Sequence, residues 1–299
     1  MRHVAALAAS ADLISPAAQR WLAEAITGRV LHVFEAAAYL INSEGSILLV
    51  ARPPLGPGPF TLVLAAPGLD FLETVEVGED VNVTSGSLTG AHWSVDAATA
   101  RPWEPRPAWG ALRRRGSRPT DALPAVRQAF ADRGPRGPFG RVLFGFPARD
   151  DLGVEARLQE RAREGMAALA AALKTDRYSS LESAAVALAG LGGGFTPAGD
   201  DFLMGAMFAC WATRPDREAG QIGEMIVRAA APRTTTASAA WLSAAARGEA
   251  SWPWHPLVDS LATGEATAVT QAAETILETG HTSGEDALAG FLATVHPAR

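Results

Sequence analysis

The pattern of apolar residues changes once along this chain, and that change limits the fold more than any other feature. Up to about residue 100, apolar residues occur in short runs separated by turn residues such as Asn42-Ser43-Glu44-Gly45. Such runs are typical of strands in a small sheet or barrel. The predicted strands are Val30–Phe34, Ala38–Ile41, Ser46–Val50, Phe60–Leu64, Val75–Val77, Val81–Thr84 and His92–Val95. A short helix, Pro16 to Ile26, precedes them.

Helical periodicity replaces the strand pattern in the second part of the chain. Predicted helices cover about 120–132, 152–174, 179–189, 200–213, 215–231, 236–248, 265–279 and 284–294, and Arg141–Phe146 is predicted to add a strand. The proline-rich stretch 101–116 is interpreted as a linker, and its basic triplet Arg113-Arg114-Arg115 as a solvated face or an anion contact. The predicted class is α+β, with a β-rich domain (1–110; a small antiparallel sheet or barrel) followed by a helical domain (111–299).

Composition indicates a globular chain without a nucleic acid or membrane as its main partner. The 299 residues carry a net charge of −6, and 48% are hydrophobic. Asp12 interrupts the first apolar run, so we do not expect that run to be a secretory signal, and no uncharged run reaches the roughly 18–20 residues that span a bilayer. A single cysteine, Cys210, fits a reducing compartment, so a cytoplasmic protein is expected.

A glycine-rich loop running directly into an apolar helix is the strongest candidate for function. Gly192, Gly193 and Gly194 precede Thr196-Pro197, a typical helix start. Gly199 follows, and then Asp200 and Asp201 fall in the first helical turn, where the helix dipole favours negative charge. Three glycines exceed what a helix cap needs, and they favour close approach of a ligand to the backbone.

A second copy of this motif lies near the C-terminus. Gly284, Glu285 and Asp286 match Gly199, Asp200 and Asp201, and Gly290 matches Gly205. His281 and Thr282 stand in the loop before it. The repetition predicts that the two helix starts face one shared site. Either copy could instead be a well-capped core helix whose carboxylates satisfy free N–H groups.

A third helix start combines an arginine with hydroxyl groups. Arg233 is followed by Thr234, Thr235 and Thr236. Hydroxyls, free N–H groups and a fixed cation together suit a carboxylate or phosphate. A threonine-capped helix beside a surface arginine explains the same pattern equally well.

Several familiar sites are absent from the sequence. The six histidines share no metal-ligand spacing, and neither the P-loop nor the nucleophile-elbow pattern occurs. What remains is a site of helix N-termini and glycine N–H groups, suited to an anionic substrate with a transferable group. Alternatively, the four acidic residues of the two motifs hold Mg²⁺ through oxygen ligands. The residues do not decide between these readings.

The motif GGGFTPAGDDFLMG, followed by RTTTASAAWLSAAARGE, resembles a family of uncharacterised function. Its best-known member is the H subunit of bacterial oxamate carbamoyltransferase, which acts in allantoin and purine breakdown. The resemblance is specific over about 191–248 and loose over about 28–64. It implies a carbamoyltransferase subunit that works with other subunits and moves a carbamoyl group between an oxamate-like amide and phosphate.

Residue roles are hypotheses from chemistry and not from that resemblance. The predicted catalytic residues are Asp200 and Asp201. The predicted ligand-binding residues are Gly192, Gly193, Gly194, Thr196, Gly199, Arg233, Thr234, Thr235, His281 and Thr282. The expected ligand is carbamoyl phosphate, phosphate or an oxamate-like anion. A Mg²⁺-dependent hydrolase and a non-catalytic scaffold remain the alternative functions.

Overall fold

The computed structural model describes residues 7–66, 70–114, 119–149, 153–175 and 178–295. The chain forms two compact units. One comprises residues up to 106 together with 250–252, and the other comprises residues 107–249 and those from 253 onward. Residues 1–6, which belong to the predicted non-secretory N-terminus, and Arg115 of the basic triplet lie outside the described residues.

The first unit is a β-barrel. Its described strands are β1 (Leu7–Ile14), β2 (Thr27–Phe34), β3 (Ala37–Asn42), β4 (Ile47–Ala51), β5 (Thr61–Leu64), β6 (Asp80–Thr84), β7 (Ser87–Thr89), β8 (Trp93–Asp96) and β9 (Arg101–Pro102). Eight of them follow the order β5-β4-β3-β2-β6-β7-β8-β1, and β1 pairs back to β5 to close the ring. β9 pairs in parallel with the end of β1, at Leu13 and Ile14. Because the described sheet closes on itself through β1 and β5, it has no long strand edge left unpaired.

The predicted barrel is confirmed and most of its described strand pairs are antiparallel, as predicted, but not all of them are. β1 runs parallel to β8, and β4 runs parallel to β5. The closing strand β1 was not predicted, because its small residues, such as Ala8, Ala9 and Ser10, give little alternation between apolar and polar. Because β1 was not predicted, the directions in which it pairs with its neighbours could not be inferred from the sequence.

One predicted strand is a helix end instead. Residues Phe71–Thr74 form a single-turn helix, α2, and Val75 is its C-terminal cap. Asp70 accepts hydrogen bonds from the N–H groups of Leu72 and Glu73, which fixes that turn. The next strand, β6, pairs with β7 in a hairpin whose turn is formed by Ser85 and Gly86, both at positive φ.

The predicted short helix is confirmed as α1 (Pro16–Glu24), and its Ala18, Trp21 and Leu22 are part of the barrel core. The Ser15 hydroxyl accepts from the N–H of Ala18 and from that of Thr61, so one side chain caps the helix and anchors it to β5. The Trp21 indole donates to the Ser46 carbonyl at 2.9 Å. The segment 250–252 completes this unit, since the Ala250 N–H donates to the Pro105 carbonyl.

The second unit is helical throughout its described residues. Its α-helices are α3 (Trp109–Arg114), α4 (Pro119–Arg133), α5 (Pro138–Leu143), α6 (Val154–Thr175), α7 (Tyr178–Leu188), α8 (Ala198–Thr213), α9 (Asp216–Ala230), α10 (Thr236–Ala246), α11 (Trp254–Thr263), α12 (Ala266–Leu277) and α13 (Ser283–Thr294). A 3₁₀ turn, Ala231–Arg233, precedes α10. The predicted helices are confirmed. No helix within the described ranges has the length and apolarity that crossing a membrane requires.

Two segments of this unit differ from prediction. The predicted strand Arg141–Phe146 is wrong: Pro138–Leu143 forms α5, with Gly137 as its N-cap and Pro138 at its first turn. The predicted linker contains α3, whose Trp109 is buried and donates to the Gly248 carbonyl at 2.8 Å. Arg113 is not a solvated side chain, because it bonds the Trp211 carbonyl and the Asp216 carboxylate.

Helix α8 forms the centre of the helical unit, and nearly all of its residues are buried. Its Phe208 stacks on Trp109 with ring centroids 5.8 Å apart, and its Phe202 stacks on Phe139 at 4.6 Å. A helix that is apolar on every face is stable only inside a shell of other helices. The core therefore fixes the position of the motif at the start of α8.

Candidate functional site

The first glycine loop joins α7 to α8. Gly192 and Gly194 have φ of +106° and +101°, which L side chains rarely adopt. A Cβ on Gly199 would collide with the Leu188 carbonyl at the end of α7. The Gly199 N–H donates to the Leu191 carbonyl at 2.8 Å. These three glycines are therefore required by the path of the chain.

Gly193 differs from its neighbours. Its φ is outside the left-handed range, and a Cβ placed on it would meet no atom within 4 Å. Gly193 and Gly194 are exposed, and their N–H groups donate to no acceptor in the described parts of the chain. The fold does not explain a glycine at position 193, whereas close approach of a ligand to these N–H groups would.

The second loop, between α12 and α13, repeats the packing of the first. A Cβ on Gly284 would collide with the Ile276 carbonyl near the end of α12, as one on Gly199 would collide with Leu188. Each glycine lets the start of its helix approach the end of the preceding helix. The sequence match between the two motifs thus corresponds to a match in their backbone contacts.

The crossing of α8 and α13 shows the same correspondence. A Cβ on Gly205 would collide with the Ala287 carbonyl, and one on Gly290 would collide with the Phe202 carbonyl. Ala287 occupies in the second motif the position that Phe202 occupies in the first. The two helices therefore touch backbone to backbone through a reciprocal pair of contacts.

The two helix starts also meet through side chains. The Thr196 hydroxyl in the first loop lies 3.2 Å from the Ser283 hydroxyl at the start of α13. Both residues are partly exposed. The structure thus brings the loops together, although a single ligand site formed by both of them stays a prediction.

Asp200 is committed to bonds within the fold. Its Oδ1 accepts from the Gly190 N–H at 3.0 Å, and its Oδ2 accepts from the Thr234 hydroxyl. Burial raises the pKa of Asp200 above its usual range, while the hydrogen bonds from Thr234 and Gly190 act in the opposite direction. These bonds hold the glycine loop to the start of α10, and a catalytic role for Asp200 stays a prediction.

Asp201 is the second acidic residue in the first turn of α8. Its side chain is buried, and burial raises its pKa well above the usual range. Hydrogen bonds from Ser283 and Thr196 lower that pKa, whereas the charges of Asp286 and Asp200 raise it further. Asp201 is therefore the acidic residue most closely associated with both loops.

The acidic pair of the second motif caps another helix. The Glu285 carboxylate accepts from the N–H groups of Arg136 and Gly137, and Asp286 Oδ1 accepts from the Phe139 N–H at 3.1 Å. These are free donors at the start of α5. Burial raises the pKa of Asp286 to about 8. For this copy, the interpretation as a capping motif accounts for both acidic side chains.

The threonine-rich start of α10 is tied to the first loop. Thr234 bonds Asp200, and the Thr235 hydroxyl donates to the Phe195 carbonyl at 2.9 Å while accepting from the Ser238 N–H. Arg233 is exposed and donates to the Ala229 carbonyl at 2.9 Å. The threonines therefore position the loop, and ligand binding by this segment stays a prediction.

The remaining predicted residues contribute less to the geometry. His281 is exposed and Thr282 is partly exposed. Cys210 is buried, and burial raises the pKa of its thiol to about 12, which disfavours the thiolate. Within the described ranges no group of three or more His, Cys, Asp or Glu side chains could hold a metal ion. The acidic residues proposed as Mg²⁺ ligands are divided between separate bonding partners.

Sequence reasoning did not select Ser283 or the start of α5. Ser283 precedes Gly284, where the first motif has Ala198, so comparing the copies gave no polar counterpart. The free N–H groups that Glu285 and Asp286 accept belong to residues 136–139, about 150 positions earlier. The one available signal was Gly137-Pro138, a typical helix start within a segment interpreted as a loop and strand.

Comparison with known families gives two matches. Residues 188–295 match the family described as oxamate carbamoyltransferase subunit AllH, and residues 5–102 match the AllH family N-terminal domain. Together they cover about two thirds of the chain, including both glycine loops. No curated protein and no solved structure matches the chain.

Proposed function

Because the chain belongs to the AllH family, we propose that it is a subunit of an oxamate carbamoyltransferase. This proposal rests on the observation that one chain matches both the N-terminal domain of this family and the family region that contains both glycine loops. The proposed enzyme moves a carbamoyl group between an oxamate-like amide and phosphate. Other subunits of this transferase are the proposed partners, and the cytoplasmic breakdown of purines and allantoin is the proposed setting.

The proposed binding element is the exposed part of the first loop. Gly193 and Gly194 are exposed, and they offer N–H groups that no described residue accepts. Backbone N–H groups of such a loop, placed before a helix N-terminus, suit a phosphate or carboxylate. We assign this loop to the phosphate group of carbamoyl phosphate, with Thr196 at its edge.

The chemistry of the transfer fits such a loop. The amide nitrogen of oxamate forms a bond to the carbamoyl carbon, the bond between that carbon and the phosphate oxygen breaks, and the nitrogen loses a proton. Negative charge grows on the departing phosphate oxygen, where fixed N–H donors stabilise it. Asp200 accepts a backbone N–H from Gly190, whereas no backbone N–H of the described residues donates to the Asp201 carboxylate. We therefore assign the orienting role to Asp201.

Arg233 is the proposed contact for a second anionic group. It is exposed, and its backbone carbonyl lies against Gly190 at the entrance of the first loop. A guanidinium there could pair with a carboxylate such as that of oxamate. Its present bond to the Ala229 carbonyl is a single neutral contact, which an ionic ligand can replace.

A non-catalytic scaffold is the second candidate, and one observation favours it. Asp200, Glu285 and Asp286 are all engaged with backbone donors of neighbouring segments, as capping residues would be. In that case the loops hold the helices together and the barrel binds partner subunits. The two proposals differ in what a substitution in the first loop does to turnover.

The test is carbamoyl transfer by the chain assembled with its partner subunits. Thr196→Val keeps the shape of the side chain and removes its hydroxyl. The transferase proposal expects kcat/KM to fall about tenfold or more, with assembly unchanged, since a hydrogen bond to a charged group is worth about 1.5–3 kcal/mol. Full turnover by this variant, together with unchanged assembly, would support the scaffold instead.

A further inference from the structure

Helices α6 and α7 enclose an open groove on the surface of the helical unit. The groove has a volume of about 770 Å³ and follows one face of α6 from Arg161 to Thr175, a length of about 21 Å at the helical rise of 1.5 Å per residue. Most of its lining residues are small, such as Ala168 and Ala171, and Glu164 is the one acidic side chain among them. Short side chains let another helix approach closely, so the groove has the length and shape to receive about four turns of helix.

The groove carries one positive and one negative charge that the described fold does not use. Arg161 and Glu164 both line it, and both are exposed. Neither side chain makes an ion pair or a hydrogen bond with any other residue of the described ranges. Opposite charges on one surface are complementary to the same two charges on a second copy, because a two-fold axis sets each residue against the other.

The charges define where that axis would pass. When two copies of α6 lie antiparallel, pairing of Arg161 with Glu164 of the second copy places the axis between residues 162 and 163. The same axis sets Val154 against Ala171 of the second copy. Val154 is 73% exposed, and the helical repeat puts it on the same side of α6 as Arg161. One arrangement therefore pairs both charges and covers an exposed apolar side chain with the alanines of the groove.

We infer that the groove between α6 and α7 is an interface between two copies of this chain, with the α6 helices antiparallel across a two-fold axis. This inference goes beyond the proposed function and does not depend on it. The interface lies next to the first loop through α7. A Cβ on Gly165 in the groove would collide with the Leu188 side chain, and the carbonyl of the same Leu188 lies against Gly199.

The test is sedimentation equilibrium of the full chain with charges reversed in the groove. Arg161→Glu converts both ionic pairs into contacts between like charges, so the Kd of the dimer rises at least about tenfold. The double variant Arg161→Glu, Glu164→Arg exchanges the charges and restores both pairs, and its Kd returns to within about threefold of the wild type. This rescue separates a charge contact from a general loss of structure.

Arg163→Glu is the matched control for the reversal. Arg163 is an exposed arginine of α6 that does not line the groove. The same change of charge there leaves the Kd within about threefold of the wild type, because an exposed charge away from the interface contributes little.

Cross-linking tests the position of the axis. Val154→Cys chains mixed with Ala171→Cys chains give a dimer with a short bismaleimide. Either variant alone gives none, since its two introduced cysteines would lie about 25 Å apart along the antiparallel helices. The natural Cys210 is buried and does not compete.

Three results would overturn the inference. The first is a chain that sediments as a monomer at every protein concentration, including one that associates only when other subunits are added. The second is a dimer whose Kd is the same in Arg161→Glu as in the wild type. The third is efficient cross-linking of Val154→Cys to itself, which would place the axis elsewhere.

Discussion

Substitution of Gly205 by alanine tests the backbone contact between α8 and α13. Alanine is the better helix former, by about 1 kcal/mol, so an exposed glycine at this position would gain stability from the change. Gly205 is buried instead, and a Cβ on it would lie well under 3.0 Å from the Ala287 carbonyl oxygen. Carbonyl atoms in the middle of a helix cannot move aside individually. The two helices would have to separate by about an ångström.

The net cost follows from these two opposing effects. Overpacking a core costs about 1–3 kcal/mol, and a clash with backbone belongs at the upper end of that range. Subtracting the gain in helix propensity of about 1 kcal/mol leaves a net destabilisation of about 2 kcal/mol. Gly290→Ala should cost a similar amount, because its Cβ would meet the Phe202 carbonyl in the same way. The double variant should cost less than the sum, since one separation relieves both clashes.

Urea unfolding followed by circular dichroism at 222 nm reports on the helical unit. Gly220→Ala is the matched control: Gly220 also lies within a helix, but its Cβ would meet the Trp211 ring only at 3.8 Å. That variant should be as stable as the wild type or up to about 1 kcal/mol more stable. If Gly205→Ala matched the control, the backbone contact between the two helices would be refuted.

Three further predictions concern the groups around the loops. Thr234→Val leaves the buried Asp200 without its hydroxyl donor and should cost about 1–3 kcal/mol in urea unfolding, whereas Thr236→Val, an exposed neighbour, should change stability by less than about 0.5 kcal/mol. Burial raises the pKa of Asp286 from its ordinary value of 3.8 to about 8 in the folded protein. Its contribution to stability is therefore fully present below pH 3.8 and is lost as the pH rises through about 8. The urea midpoint should fall with rising pH more in the wild type than in Asp286→Asn. Gly137→Ala would place a Cβ against the Asp286 carboxyl group and should lower the urea midpoint, whereas Gly193→Ala, whose Cβ would meet no atom within 4 Å and whose φ is not in the left-handed range, should leave it unchanged.

The sequence was sufficient for the division into a barrel unit and a helical unit, because strand and helix periodicity depend on neighbouring residues. It was insufficient for the closing strand β1, whose alanines and serines carry little alternation. It was also insufficient for α5, since the carboxylates that cap it are supplied by Glu285 and Asp286, far away along the chain. When the free N–H groups at a helix start are bonded by side chains distant in sequence, the residues around that start carry no capping pattern.

The candidate site shows the same division between local and distant information. Glycines 192, 194 and 199 were selected from the sequence, and the loop geometry gives each one a backbone reason. The link between Thr196 and Ser283 and the bond between Thr234 and Asp200 join residues 87 and 34 positions apart. Polarity suggested that the threonines bind a ligand, which stays a prediction, and the structure adds that Thr234 bonds Asp200 and Thr235 bonds the Phe195 carbonyl in the loop.

Titration of the full chain with carbamoyl phosphate, compared with Gly193→Ala, tests the central claim most directly. Alanine fits at this position without strain or contact, so its unfolding midpoint should equal that of the wild type. Its methyl group would stand where the anion approaches the loop N–H groups. The claim predicts binding by the wild type and at least about tenfold weaker binding by the variant. Equal binding by two equally stable proteins would show that the anion does not bind at this loop.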